Sequence, residues 1–192
     1  AAGNLSPDDG NGIGKDIFLR EVTARTTACV SRPRGGRSGT GESACPSLSA
    51  DGRTLAFISF NDALTDGDGN HTADVFLADL TTGELTRVAG GSDASLAVSL
   101  SADGRRLAFL SHAADLVPGD HNDEPDIFLY DAEKRTLRRV NVTGEGVEAD
   151  DHSSAPAISP DGTAIAFTSW ADTLMPKQRF SSGDVLVVEV GK

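Results

Sequence analysis

SADGRRLAFLSHAADLVPGDHNDEPDIFLYDAEKRTLRRV, residues 101–140, decides the fold. It reads as a turn, an apolar strand, an acidic loop, a second apolar strand, another turn and a third strand. An Asp-Gly pair between apolar runs is a strong hairpin signal, because glycine takes positive φ without a steric cost. Asp103-Gly104 therefore joins a strand over 96–100 to one over 106–111. The acidic loop leads to a strand over 126–131, and a further turn to one over 136–142. The turn recurs as Ser49-Ala50-Asp51-Gly52 and Ser159-Pro160-Asp161-Gly162. Asp16, Asp74, Asp126 and Asp184 each precede an apolar pair, in steps of 58, 52 and 58 residues. A period near fifty marks a repeat architecture.

Four short antiparallel strands per repeat is what a propeller blade needs. The expected fold class is all-β: a β-propeller of about four blades of four-stranded antiparallel sheet, with the first and last blades incomplete. One domain covers 1–192, divided into a partial blade 1 (1–44), blade 2 (45–95), blade 3 (96–153) and a partial blade 4 (154–192). Blade 1 offers only its third and fourth strands, blade 4 only its first three. Helical periodicity is absent, apart from possible single turns at 62–64 and 113–116. Phe57, Phe109 and Phe167, with Phe18, Phe76 and Phe128, are the expected packing between blades.

Acids outnumber bases 29 to 17 over 192 residues, for a net charge of −12. That argues against nucleic acid as a partner, since phosphate contacts need clustered Lys and Arg. No apolar run is long enough to span a bilayer as a helix. Cys29 and Cys45 are the only cysteines. Paired, they would close a loop of about sixteen residues and add roughly 3 kcal/mol in the chain-entropy model, implying an oxidising compartment. Sequons at Asn4, Asn70 and Asn141 permit glycosylation. The small residues at the start fit a secreted chain, and the expected location is secreted, extracellular or cell envelope.

The acidic loops are the candidate sites. Blade 3 has Asp120-x-Asn122-x-x-x-Asp126, blade 2 has Asp68-x-Asn70-x-x-x-Asp74, and blade 1 has Asp9-x-Asn11 followed by Asp16. Calcium takes six to eight oxygens from carboxylates, amides and carbonyls, and such loops supply them. Asp and Asn are also ordinary turn residues that bond their own backbone. Three loops in register in an acidic chain favour calcium. The histidines 71, 112, 121 and 152 are scattered. No nucleophile elbow or zinc spacing occurs, and Trp170 reads as a packing residue.

The S-x-D-G-x-x-x-A-F pattern, with D-[IV]-F-L and a turn ending in T-R-V, resembles the TolB-like propeller repeats of bacterial and archaeal envelope proteins. Leu116-Val117-Pro118-Gly119-Asp120-His121-Asn122 is similar to a subfamily loop L-V-P-G-D-x-N-G-x-x-D. Blades 2 and 3 match well. Blade 1 is one residue longer before Asp16, and blade 4 has 175–180 (MPKQRF) where the acids would stand. The resemblance implies the propeller strongly and any function weakly. The expectation is a non-enzymatic interaction module that self-assembles head-to-tail through its unfinished blades, since exposed sheet edges recruit other chains. A peptide- or glycan-binding domain of a larger envelope protein is the alternative. An enzyme with a metal on the propeller axis is the third reading.

Overall fold

The computed structural model describes residues 14–33, 41–175 and 183–191. Thirteen strands form four sheets. The first pairs β1 (Phe18–Glu21) with β2 (Thr26–Cys29). The second runs β3 (Ser43–Leu48), β4 (Thr54–Ser59), β5 (Asp74–Asp79), β6 (Glu84–Ala89). The third runs β7 (Ser95–Leu100), β8 (Arg106–Ser111), β9 (Asp126–Asp131), β10 (Thr136–Arg139). The fourth holds β11 (Ser153–Ile158), β12 (Ala164–Ser169), β13 (Asp184–Glu189). Every pairing is antiparallel between chain neighbours, giving a β-propeller with partial end blades. First strands begin earlier than expected, because a bulge in each lengthens it. β3, β7 and β11 begin at Ser43, Ser95 and Ser153, so the expected divisions at 44/45, 95/96 and 153/154 each fall within a first strand. The turns expected at 62–64 and 113–116 stay non-helical, and a 3-10 turn forms instead at Asp172–Leu174 in blade 4.

Each Ser-x-Asp-Gly turn is held by its own side chains. Ser101 is fully buried; its Oγ donates to Asp103 at 2.6 Å and accepts the Arg106 N–H at 3.0 Å. Ser49 and Ser159 repeat this with Asp51 and Asp161. The turns are also linked to one another. Ala50 N–H donates to the Ala102 carbonyl and Ala102 N–H to that of Pro160. Leu100 and Ile158 N–H groups donate to Ser47 and Ser99 of the preceding blade.

The core lies between blades. Phe57 stacks on Phe76, and Phe109 on Phe128, at centroid separations of 5.6 and 5.4 Å. The second stack, with Leu107 and Tyr130, covers Ala56 and Val75 of blade 2. Ile165 and Phe167 cover Ala108, Ile127 and Leu129 of blade 3 in the same way. Ile17 of blade 1 meets Phe57 and Phe76. In blades 2 and 3 one face is thus apolar without rings, and the other carries them. That explains why an alternation within the strands accompanies the fifty-residue period.

No disulfide joins Cys29 to Cys45, which corrects the expected pairing. Cys29 is buried at the end of β2, opposite Phe18, with its Sγ 3.8 Å from the Ser31 hydroxyl. Cys45 is exposed on β3, and its thiol donates to the Leu96 carbonyl of blade 3 at 3.5 Å. The two side chains serve different blade contacts.

Candidate cation sites in the acidic loops

The first residue of each third strand is where the acidic loop meets the sheet. Asp74 and Asp126 are 1% and 0% exposed. A buried carboxylate needs a partner, and in both blades the partner is an arginine from the fourth strand. Arg87, opposite Phe76, donates from Nε to Asp74 Oδ2 at 2.6 Å, with Nη2 equally close. Its Nη2 is also 3.2 Å from Asp68. Arg139, opposite Phe128, donates to Asp126 at 2.7 Å and Glu148 at 2.5 Å, with Asp120 at 3.6 Å. A guanidinium therefore already stands among the acids that the sequence pattern assigns to calcium. Gly90 is required beside it, because a Cβ there would collide with the Arg87 guanidinium.

Asn70 and Asn122 serve as loop staples. Asn70 accepts from Thr72 N–H and donates from Nδ2 to Asp74 and the Gly91 carbonyl. Asn122 accepts from Glu124 N–H and donates to the Ala149 carbonyl at 2.7 Å. Their oxygens are spent on the backbone, as turn residues do. Asn141 is fully buried; its Nδ2 donates to Asp126 at 2.5 Å and to Ser153 at 3.2 Å. The side-chain amides of the sequons at Asn70 and Asn141 are thus both engaged within the blades. In blade 1, Ser31 takes the equivalent place, donating to Asp16 and accepting the Ile17 N–H. Asn4, Asp9 and Asn11 lie outside the described residues.

The two full sites differ in charge. In blade 2, Asp68 and Asp74 face one arginine. In blade 3, Asp120, Asp126 and Glu148 face one, and their oxygens lie within 4.8 Å of one another. Two formal negative charges remain there. The Asp120 side chain is only 3% exposed, and its Oδ1 has no hydrogen-bond partner. Burial, then the neighbouring Asp126, pushes its pKa up to about 6. Asp68 is raised for the same reasons, burial and Asp74. Glu148 goes down despite burial, because the His121 backbone N–H and Arg139 donate to it. Arg139 is raised: burial opposes its charge, but Asp126 and Glu148 outweigh that. Glu148 and both arginines lie outside the D-x-N-x-x-x-D spacing. The shared Arg-Val at 87–88 and 139–140 is the sequence signal for the arginines. Glu124, Asp151 and His152 form a second acidic group, where Asp151 already holds the His152 ring at 2.6 Å. Trp170 stacks on that ring at 4.2 Å.

These blades, linked turns and ring-bearing interfaces define a β-propeller. The chain is similar to TolB from Acinetobacter baumannii, at 20% identity and a TM-score of 0.52, over 92% of this chain and 35% of that one. It is likewise similar to the β-propeller domain of the Trilobed protease from Pyrococcus furiosus (16%, 0.58), over 92% of this chain and 46% of that one. An oligogalacturonate lyase from Vibrio parahaemolyticus aligns at 14% identity and 0.54, over 93% and 43%. The chain thus spans less than half the length of these three. No family model and no curated protein matches the sequence. Among the described residues no helix is long and apolar enough to cross a membrane.

Proposed function

We propose that the chain is a non-enzymatic, extracellular or envelope-located β-propeller module that assembles with copies of itself, head-to-tail, by strand pairing at its end sheets. The observation that carries this reading is the outer edge of β13. Among the described residues that strand pairs with β12 alone, and Val185 and Val187 are 72% and 69% exposed. Unpaired, apolar edges are templates for another strand. The edges at the two ends differ, so contacts are heterologous and yield rings or open filaments. Calcium is part of the proposal at one site only, the blade 3 group of Asp120, Asp126 and Glu148, whose surplus negative charge suits a hard cation. The ionisable clusters recur with the blades, which speaks for a structural task rather than one active centre. Sedimentation velocity over a concentration series tests the assembly. Species growing with concentration are expected, and a monomer throughout overturns it. A peptide- or glycan-binding part of a larger envelope protein is the second reading. It is favoured by the share of longer propeller chains that this one spans. Binding of either ligand class to the monomer would support it.

A further inference from the structure

We propose that the β13 edge of one copy receives β1 of the next in a single register, fixed by an ion pair between Asp184 and Arg20. This rests on the head-to-tail reading above and names its contact. The chain's own blades supply the template. Phe57 pairs with Phe76, Phe109 with Phe128 and Phe167 with Leu186, so Asp184 occupies the place of Asp74 and Asp126. In blades 2 and 3 that aspartate is bound by an arginine opposite the ring residue, two positions after an apolar residue: Leu85-Thr86-Arg87 and Leu137-Arg138-Arg139. In blade 4 no described strand lies beyond β13, and Asp184 Oδ2 is buried without a hydrogen-bond partner. A carboxylate oxygen sealed from water and unpaired is costly.

Among the described strands, β1 also has a free edge, since it pairs only with β2. Its sequence, Phe18-Leu19-Arg20, repeats the apolar-x-Arg pattern of the fourth strands. Arg20 is exposed, and its bond to the Thr27 hydroxyl uses one nitrogen of the guanidinium. Placing Arg20 opposite Leu186 in an antiparallel pair sets Phe18 against Val188 and Leu19 against Val187. Blade 2 skips one residue between Arg87 and Ala89 to meet Val75. The same skip brings Val22 opposite Val185. Val22, Val185 and Val187 are 78%, 72% and 69% exposed in the single chain, more than any other large hydrophobic residue described. One register therefore sets all three on one face of the joined strands and places Arg20 beside the carboxylate whose Oδ2 is buried. A shift by one residue would turn Arg20 to the opposite face.

The test uses the full chain in sedimentation velocity, with melting curves to confirm folding. Asp184→Asn and Arg20→Gln are each expected to weaken association about tenfold or more. Asp184→Lys and Arg20→Glu are each expected to be monomeric alone and to assemble when mixed in equal amounts. In the mixture the introduced lysine of one variant meets the introduced glutamate of the other, and the remaining contacts restore the parent Asp184–Arg20 pair. Variants that assemble as the parent does, or a mixture that stays monomeric, overturn this register while the assembly reading stands. A parent chain that is monomeric at every concentration overturns both.

Discussion

Arg139 shows how one side chain carries a blade. It is 7% exposed and lies between two carboxylates at 2.5 and 2.7 Å, with a third at 3.6 Å. Removing one member of a buried ion pair typically costs about 3–5 kcal/mol, because the other charge is left uncompensated. Arg139→Gln is expected to lose stability of that order in urea unfolding. Arg87→Gln should lose less, since its side chain is 23% exposed and holds two acids rather than three. Asp120 gives a second prediction. Its folded pKa of about 6 lies above the ordinary 3.8. Between these values the folded chain holds a proton that the unfolded chain has released. Stability from this group is therefore full below about pH 4 and is lost as pH rises through 6. Asp120→Asn should remove that slope and make the protein more stable at neutral pH. Calcium competes with the same proton, so the ion should raise the melting temperature of the parent more at pH 7 than at pH 5. Equal response at both values, or in Asp120→Asn, would place any calcium elsewhere.

The Ser-x-Asp-Gly turns connect the residue to its blade and each blade to the next. Asp161 titrates at about 2, held down by the Ser159 hydroxyl and then by the Thr163 backbone N–H and hydroxyl. Gly52 and Gly104 have φ of +70 and +74, so a Cβ strains both equally. Their surroundings differ. Nothing lies within 4 Å of a Cβ at Gly52, whereas one at Gly104 meets Thr54 of the preceding blade at 2.7 Å. Gly52→Ala therefore reports the backbone conformation alone, at roughly 1 kcal/mol. Gly104→Ala is expected to cost clearly more in the same denaturant titration. Equal losses would mean that blade 2 yields freely against blade 3. The links also have a direction. Pro160 replaces the alanine whose N–H donates forward, and Ala157 replaces the serines that accept from the following blade. The inner strands of blade 4 thus lack the polar groups that blades 2 and 3 offer a successor.

For the whole molecule, that loss sets where contact with another chain can form. The inner turn of blade 4 has little to give, while the outer strand keeps open valines and an unpaired carboxylate oxygen. In the proposed assembly, strand addition at β13 extends the outer edge, while Val185 and Val187 lie on the face that a following blade covers in blades 2 and 3. With no disulfide between Cys29 and Cys45, the ring interfaces and turn links hold the blades together.

The fifty-residue period, the Asp-Gly turns and the recurring phenylalanines were enough to read the blades, their number and the unfinished ends. These are local signals, because hairpin geometry and side-chain alternation are set by neighbours in sequence. Arg87 and Arg139 were also visible, as the repeated ending after each third strand, but their meaning was not. The guanidinium reaches an aspartate thirteen residues back, and only strand register brings the two together. The same holds for Glu148 and Asn141, which enter the blade 3 site from the connection after β10. Spacing suggested a loop that would close around a metal. The tertiary structure also places a fourth-strand arginine inside that loop, because a carboxylate buried at the start of a third strand must be neutralised when the sheet forms.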